Sequence, residues 1–587
     1  MKLLKLNIQD EFRSLHKDFT INFHDLEHSG KELDTFQPFC FAGLNGSGKS
    51  NVLEALASIF YHLEFCVAKF RPVSLDKHFK RNLCTPNAFT LEYLIGQHDE
   101  HPYILKNFHR VIITKSNDKK KDADNEPKMF IQEYPFEEDN ELKEISLVPS
   151  KNYNEAAEGK SYLPDLIVGY SSGENEILSL PFRKNRLVNF DKYVEDDSKR
   201  IMFEEPETSL IYVDEGMSQA VLLAALIFED EETLKPLKKE LGIVGLQSFT
   251  MNLTNQRLME NIEHQERPIL FHIEGMIDDL KKIATSWYTQ KVDILGEGGK
   301  VHSITSLDFY VTEATKTAFK EYFNNSPFKL FRFFQVLYEL NSIIVPEEIK
   351  EDVYSSKGFY TDGKLPIPAP QDTVFHFLDY KILKKVNNQE EPIPLLLREF
   401  SDGEHQFLHT MGICLMMKEH RSLLLLDEPE THFNPSWRAK FIKILNDSIT
   451  AGNPIPEPKK RFNVHLLKDV IITSHSPFII SDCMPNNVIF FKRNDDTQKV
   501  EAKSAKEMTF NTYGTSVEVI LDELFEYNQS IGDWSKQELL NIAFDKIKTE
   551  KDISEIKNRL RKLGPSIEKD LVLTDLNRKL NSIKPKN

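Results

Sequence analysis

The feature that most constrains this chain is the glycine-rich segment Gly43-Leu44-Asn45-Gly46-Ser47-Gly48-Lys49-Ser50. It satisfies the pattern G-x-x-x-x-G-K-[ST] at every fixed position. The apolar run 39–42 predicts a buried strand before it, and apolar residues at helical spacing in 51–60 predict a helix after it. Strand, loop and helix in this order direct backbone N–H groups and a helix N-terminus at a phosphate chain.

This segment therefore predicts a nucleotide-phosphate site. We expect Lys49 to reach the β and γ phosphates and the Ser50 hydroxyl to bind Mg²⁺. The predicted phosphate-binding residues are Asn45, Gly46, Ser47, Gly48, Lys49, Ser50 and Asn51.

Length and charge limit the classes of protein that remain. The chain has 587 residues, enough for the cores of two to four domains, and its apolar content of 40% is that of a globular protein. The formal net charge of −17 repels nucleic acid in general. Direct DNA binding would therefore need a local basic groove or a partner, and Lys119-Lys120-Lys121 is one candidate contact.

Cysteine usage and apolar runs indicate a compartment. The five cysteines form no C-x-x-C pair, so we expect buried thiols in a reducing environment. The N-terminus is too short and too interrupted for a signal peptide, and the run 220–228 is about half the length that crosses a bilayer. These observations predict a soluble, cytoplasmic protein.

The chain alternates between strand-rich and helix-rich regions. Residues 1–24 and 87–136 contain strand-like segments, whereas 201–390 reads as mainly helical with two or three strands. There is no internal repeat and no sustained heptad pattern, so we interpret 201–390 as a compact insertion.

A second buried strand delivers acidic groups. Leu423-Leu424-Leu425-Leu426 is followed directly by Asp427 and Glu428. Unpaired buried charge is costly, which makes a purely structural role for two acids at a strand end unfavourable. We expect Asp427 to hold Mg²⁺ through water and Glu428 to act as general base towards the attacking water.

Two further segments, one before and one after that strand, contain candidate nucleotide-binding residues. His475 ends the apolar strand 469–474 and is placed to sense the γ-phosphate, although a lone histidine there is also compatible with a core or capping role. Ser401, Gly403 and Glu404 lead into the apolar helix 407–417, whose N-terminus could bind a phosphate or simply be capped by the serine.

The order of these four motifs resembles the ABC-type ATPases of the SMC/RecF/OLD branch. The resemblance implies a P-loop NTPase fold of the α/β class, with an ABC-type head that binds ATP and Mg²⁺. It implies that Arg13 and Ser14 pack near the adenine, and that Ser401, Gly403 and Glu404 form the signature offered to the other subunit of a dimer. The segment 431–435 resembles the D-loop. Thr512-Tyr513-Gly514-Thr515 resembles a feature of AAA-family ATPases in bacterial anti-phage systems of the Septu, retron-associated or restriction-system-associated type.

Two departures from that pattern remain. No glutamine clearly occupies the Q-loop, with Gln97 and Gln132 as candidates by position, and the segment 170–176 is an alternative. The segment 201–208 mimics an acidic strand but lacks the metal-binding aspartate, so we interpret it as a look-alike.

The predicted organisation has four parts. The head comprises 1–200 and 391–530, the insertion 201–390, and a helical tail 531–587. The favoured function is an ATPase that dimerises around ATP, or forms a higher homo-oligomer, and regulates a separate effector, a nuclease, in anti-phage defence. Two alternatives are a RecF-like DNA-repair ATPase and an OLD-like ATPase–nuclease, and the latter lacks the expected D-x-D acids after His475.

Overall fold

The computed structural model places the chain in two units that are described separately. It describes residues 1–26, 36–97, 105–118, 122–137, 140–150, 155–173, 176–198, 206–255, 257–259, 266–268, 273–293, 301–356, 365–366, 368–386, 391–416, 420–450, 467–494, 496–527, 531–542 and 547–583. The first unit is Met1–Tyr513 and the second is Gly514–Asn587. The sequence prediction placed the start of the C-terminal tail later, at 531.

The described elements follow one another in chain order. The strands are β1 (Lys2–Ile8), β2 (Phe19–Asn22), β3 (Phe39–Gly43), β4 (Phe89–Gly96), β5 (Phe108–Lys115), β6 (Lys128–Glu133), β7 (Lys143–Ile145), β8 (Leu166–Ser171), β9 (Leu210–Tyr212), β10 (Ile243–Asn255), β11 (Arg257–Met259), β12 (Glu266–Pro268), β13 (Ser286–Asp293), β14 (Val301–Tyr310), β15 (Phe375–Lys384), β16 (Ile393–Leu396), β17 (Ser422–Asp427), β18 (Lys468–Ser474), β19 (Val488–Arg493) and β20 (Val500–Ser504).

The α-helices alternate with these strands and dominate the second unit. They are α1 (Lys49–Val67), α2 (Val73–Asp76), α3 (Glu176–Ser198), α4 (Glu215–Phe228), α5 (Lys235–Leu241), α6 (Glu274–Ile283), α7 (Glu313–Tyr322), α8 (Pro327–Glu339), α9 (Glu347–Ser355), α10 (Asp402–Met416), α11 (Pro435–Arg438), α12 (Phe441–Thr450), α13 (Pro477–Ser481), α14 (Val517–Phe525), α15 (Asp533–Leu540), α16 (Glu550–Leu560) and α17 (Ile567–Ile583).

A seven-stranded central sheet organises the first unit, in the order β20-β19-β3-β18-β17-β8-β9. All neighbours pair in parallel except β19 and β20. Parallel strands covered on both faces are expected to be continuously apolar, and β17 and β18 are buried along their whole length. The α/β class with a parallel sheet is therefore confirmed.

The register of this sheet brings distant segments to one edge. Asp427, at the end of β17, is level with Thr473 on β18 and with Ser171 on β8. Ser474, at the end of β18, is level with Ala42 on β3, just before the glycine-rich segment. Because the strands are parallel, their carboxyl ends meet at the same edge.

A six-stranded antiparallel sheet, β2-β1-β4-β5-β6-β7, shares a core with helix α1. Leu6 and Tyr93 from this sheet belong to the same buried cluster as Leu53 and Phe60 from the helix. The strands predicted in 1–24 and 87–136 are therefore confirmed, whereas Lys119-Lys120-Lys121 lies outside the described residues.

The segment 201–390 contains more strand than the description "mainly helical" allows. Helices α4 to α9 accompany four strands of an antiparallel sheet with the order β13-β14-β10-β15-β16, whose last strand, β16, lies just after residue 390. The period-two alternation is visible in β14, where Leu307 and Phe309 are buried and the Phe309 ring lies 5.6 Å from the Phe319 ring in α7. Strand β9 pairs with β8, so this segment also contributes to the central sheet.

The second unit has its own small core. Leu539, Ile553, Leu560 and Leu576 from α15, α16 and α17 pack together. Among the described helices of the whole chain, none is both long and apolar enough to cross a membrane. The five cysteines are free and buried, as expected from their spacing.

Candidate nucleotide site

The glycine-rich loop runs from the end of β3 to the start of α1, in the predicted context. Gly43, Gly46 and Gly48 have φ values of 146°, 72° and 98°, which lie in the range that favours glycine. A Cβ atom on Gly43 would lie 2.3 Å from the Phe491 carbonyl oxygen on β19. The loop backbone therefore depends on glycine for both its conformation and its close approach to the neighbouring strand.

Lys49 lies over this loop and is almost completely buried. Its Nζ donates to the carbonyl oxygens of Gly43 and Leu44, at 2.9 and 3.1 Å. Burial lowers the pKa of Lys49 to about 8, while the nearby Glu428 and Asp427 carboxylates act in the opposite direction. The ammonium group is thus held by carbonyl groups that a phosphate could replace.

Asp427 connects the loop helix to two strands of the sheet. The Ser50 hydroxyl donates to Asp427 Oδ1 at 2.9 Å, and the Thr473 hydroxyl donates to the same oxygen at 2.6 Å. A hydroxyl and a carboxylate in contact are the oxygen ligands that Mg²⁺ prefers. Ser50 and Asp427 therefore fit the metal-binding roles predicted for them.

Glu428 occupies a backbone conformation that is rare for a residue with a side chain. Its φ is 47°, and its N–H donates to the Thr473 hydroxyl at 3.0 Å. This left-handed turn moves the carboxylate out of the strand, where its exposed fraction is 43%. Such strained positions are concentrated at functional sites.

His475 lies between Glu428 and Lys49. Its Nε2 is 3.2 Å from Glu428 Oε1 and 3.0 Å from Lys49 Nζ. The hydrogen bond from His475, with smaller contributions from the charges of His475 and Lys49, lowers the pKa of Glu428. The structure therefore brings together the predicted lysine, general base and γ-phosphate sensor.

Arg13 and Ser14 contact the helix that follows the loop. The Arg13 guanidinium forms a two-pronged ion pair with Glu54, with a shortest distance of 2.8 Å. The Ser14 hydroxyl donates to Asn51 Oδ1 at 2.6 Å. Both residues are therefore beside α1, and their predicted contact with adenine stays a prediction.

The signature segment caps helix α10. The Ser401 N–H and hydroxyl donate to Glu404 Oε2 at 3.0 and 3.1 Å, and Glu404 also pairs with Lys384. A Cβ on Gly403 would lie 2.7 Å from the His432 carbonyl oxygen, so glycine permits a close approach to the loop after Glu428. Among the described residues, no hydrogen bond joins Ser401, Gly403 or Glu404 to the phosphate loop of the same chain.

Gln406 links this helix to the acidic strand and was not among the predicted site residues. Its Nε2 donates to the Glu428 carbonyl oxygen at 3.5 Å, and its Oε1 accepts the His432 N–H at 3.0 Å. The sequence signal was its place directly after the signature segment. Thr473, which contacts both Asp427 and Glu428, was also missed.

The end of β8 lies beside Asp427 and belongs to the segment 170–176, the predicted alternative to a Q-loop glutamine. The Ser172 N–H donates to the Asp427 carbonyl oxygen at 3.2 Å, and its hydroxyl is 2.9 Å from Thr431 Oγ1. Gln97 and Gln132 instead hydrogen-bond to His109 and Glu137 in and beside the antiparallel sheet.

Most of the look-alike segment, 201–205, lies outside the described residues. Its described end contains Glu207, which pairs with Lys69 and Lys192 at 3.5 and 3.6 Å. Thr208 donates to Asn189. The described contacts of Glu207 and Thr208 are ion pairs and a hydrogen bond within the fold, and the short strand β9 follows this segment.

Two comparisons with known proteins bear on this site. Residues 319–481 match the family model described as "AAA domain, putative AbiEii toxin, Type IV TA system". A stretch of 127 residues is 24% identical to the Septu protein PtuA of Bacillus thuringiensis. That match covers 22% of this chain and 27% of the Bacillus protein, so the chain spans about a quarter of its relative's length in the match.

The family match includes the second half of the site. It extends over Ser401, Asp427, Glu428 and His475, while the glycine-rich loop lies before it. An AAA-type domain implies nucleotide hydrolysis in general, so the match supports an ATPase with a P-loop NTPase fold.

Proposed function

We propose that this protein is an ABC-type ATPase of the SMC/RecF/OLD branch, which binds ATP with Mg²⁺ and closes as a homodimer around it. In this proposal the closed state regulates a separate effector, a nuclease, in bacterial anti-phage defence. Nucleic acid is sensed indirectly rather than bound by the acidic surface of this chain.

One contact carries the ATPase proposal. Ser50 and Asp427 are 377 positions apart, and yet their side chains are 2.9 Å apart. In the same convergence, His475 Nε2 lies 3.0 Å from Lys49 Nζ and 3.2 Å from Glu428 Oε1. Residues of these types from three separate strand ends have a shared use at a nucleotide triphosphate.

Each of these residues has a distinct role in the proposed reaction. Ser50 and Asp427 would hold Mg²⁺, which would supply positive charge against the developing phosphate charge. Lys49 orients the β and γ phosphates through its ammonium group. Glu428 is ionised at neutral pH, since its pKa is lowered, and so it can accept a hydrogen bond from the attacking water and then its proton. His475 would contact the γ-phosphate and so sense its presence.

The surroundings of Ser401 support the proposed dimer. Ser401 and Asp402 are exposed at the start of α10, and the hydrogen bonds described for Ser401 are within its own turn. A helix N-terminus and a serine hydroxyl gain most from a full triphosphate. Presented by a second copy, they would favour ATP over ADP in the closed state, and hydrolysis would release it.

The defence role rests on likeness rather than on geometry. The tail motif 512–515, the AbiEii-type family match and the PtuA match all agree with a Septu-type assignment. Thr512 is buried and donates to the Cys483 carbonyl oxygen, so the motif begins inside the first unit. We propose that the insertion and the second unit carry the surfaces for higher-order assembly and for the effector.

The experiment combines Glu428→Gln, which should trap bound ATP, with Ser401→Arg, which should block closure from the opposite subunit. Sedimentation should show a larger species for Glu428→Gln with ATP than with ADP, and this difference should vanish in the double variant. ATP binding by each subunit should stay nearly unchanged. Wild-type ATPase activity in Ser401→Arg alone would reject the dimer mechanism, and an inactive wild type would reject the ATPase assignment.

A further inference from the structure

A third acid follows the acidic strand and lies beneath the site rather than in it. Glu430 is 4% exposed, in contrast to the half-exposed Glu428 two residues earlier. Its Oε1 accepts a hydrogen bond from the Ser474 hydroxyl. The Ser474 hydroxyl in turn accepts the Ser476 N–H at 2.9 Å.

These two hydrogen bonds hold the residues immediately before and after His475. Ser474 is the last residue of β18, and Ser476 precedes helix α13. The histidine between them has Nε2 contacts of 3.2 Å to Glu428 and 3.0 Å to Lys49. The position of the imidazole therefore depends on the turn 474–476. Among the described hydrogen bonds of the Ser474 hydroxyl, the one to another side chain is with the Glu430 carboxyl.

We propose that Glu430 is a positioning residue for ATP hydrolysis, which acts through Ser474 to hold His475 beside Glu428 and Lys49. This inference rests on the proposed ATPase function. Glu430 does not contact the reacting atoms in this proposal, and its effect is transmitted by two hydrogen bonds and the backbone of residues 474–476.

A purely packing role is a poor explanation for an acid at this place. Burying a carboxyl group costs free energy that an apolar side chain of similar volume would avoid. Burial, with a further contribution from the Glu428 charge, raises the pKa of Glu430 to about 7. A neutral acid is cheaper to bury than a carboxylate, and a glutamine imitates its shape while keeping a carbonyl oxygen as acceptor.

The size of the expected effect follows from geometry. A misplacement of about 1 Å in a catalytic constellation can cost as much as 10²-fold in rate. Loss of the Glu430–Ser474 bond frees the turn but leaves two sets of described hydrogen bonds intact, those from Lys49 to the loop carbonyls and the one from Ser50 to Asp427. The rate of hydrolysis should therefore fall while nucleotide binding is kept.

The test measures kcat and KM for ATP in the wild type, Glu430→Ala, Ser474→Ala, the double variant and Glu430→Gln. Each alanine variant should lower kcat about tenfold or more, with KM within about twofold of the wild type. The kcat of the double variant should be no lower than that of the less active single variant, because both substitutions remove the same hydrogen bond. Glu430→Gln should recover most of the activity.

Several outcomes would overturn the inference. Additive losses would show that the two residues act separately, and a Glu430→Gln variant as slow as Glu430→Ala would show that the charge, not the hydrogen bond, matters. Ser474→Ala removes only a hydroxyl, so its kcat remains informative if Glu430→Ala does not fold. Unchanged kcat in Ser474→Ala with an active wild type rejects this inference alone, whereas an inactive wild type rejects the proposed function itself.

Discussion

The Ser50 hydroxyl donates to Asp427 at 2.9 Å, joining the helix after the glycine-rich loop to the end of the acidic strand. The contact forms because β18 lies between β3 and β17 in the parallel sheet, and all three end at the same edge. Residues that the chain separates widely therefore surround one small volume.

Replacement of Glu428 by glutamine should separate hydrolysis from binding. Glu428→Gln keeps the shape of the side chain but removes the base, so ATP hydrolysis should fall by roughly 10²- to 10⁴-fold. ATP affinity should change little. Lys49→Ala should instead weaken ATP binding, because the ammonium group is lost. Isothermal calorimetry and phosphate release measure the two effects, and wild-type turnover in Glu428→Gln would show that the base is misassigned.

Much of this site could be predicted from sequence because the signals are local. The strand–loop–helix context of Lys49 and the apolar run before Asp427 each lie within a short window, and the structure confirms both as elements. The left-handed conformation of Glu428 could not be read from sequence, since glutamate has no preference for it. Its cause is tertiary, because the Glu428 N–H is held by Thr473 on another strand.

Pairing between residues far apart in the sequence also explains why the sheet in 201–390 and the role of Glu430 were not predicted. Strand β10 pairs with β14 and β15 at sequence separations of 48 residues and more, with helices in between, so no short window of sequence contains the sheet. Glu430 was overlooked for a similar reason. Its neighbour Ser474 is 44 positions away, and burial rather than residue type distinguishes it from Glu428.

The close approach of Gly43 to β19 predicts a difference between two glycines of the loop. In Gly43→Ala the new Cβ would meet the Phe491 carbonyl oxygen at 2.3 Å, and this backbone atom cannot move without disturbing the pairing of β3 and β19. Gly46→Ala is a matched control, because its φ is also positive but no atom lies within 4 Å of the new Cβ. Gly46→Ala should cost about 1–2 kcal/mol in backbone strain, because its φ of 72° is close to the left-handed helical region. The φ of 146° at Gly43 is less accessible still to a residue with a Cβ.

The clash should therefore add to the cost at Gly43 only. We expect a clearly larger fall in Tm for Gly43→Ala than for Gly46→Ala, measured without nucleotide by calorimetry. Equal Tm values for the two variants would contradict the close packing of β3 against the Phe491 carbonyl.

Arg421 should be a major determinant of stability at the opposite edge of the sheet. It pairs with Asp165 at 2.6 Å and donates to the carbonyl oxygens of Gly96, Ser161 and Leu163. Arg421→Gln leaves a carboxylate and three carbonyl groups short of a donor, and breaking such a buried pair costs roughly 3–5 kcal/mol.

An exposed ion pair in the same unit provides the control. Lys235 and Glu232 are 3.4 Å apart with side chains 68% and 85% exposed, so Lys235→Gln should change stability by less than about 0.5 kcal/mol. Urea unfolding should therefore shift strongly for Arg421→Gln and hardly at all for Lys235→Gln. Similar midpoints for the two variants would contradict a structural role for the Arg421 network.

The raised pKa of Glu430 predicts a specific pH dependence of stability. Its pKa is about 7 in the folded protein and 4.5 as the ordinary value, so between these the native state binds more protons than the unfolded state. The contribution of the neutral acid is fully present below pH 4.5 and is lost as the pH rises through 7. A shift of this size in a fully buried group corresponds to a free energy of unfolding on the order of 3 kcal/mol.

Glu430→Gln isolates this effect, because glutamine resembles the protonated acid and does not titrate. The Tm of the wild type should approach or exceed that of Glu430→Gln at pH 5, and should fall relative to it by a few degrees at pH 8. Glu428, with its lowered pKa, stays ionised over this whole range in both proteins and so does not add to the difference in Tm between pH 5 and pH 8. A difference in Tm that stays constant from pH 5 to pH 8 would mean that Glu430 is ionised throughout, and that the acid beneath His475 is held as a carboxylate.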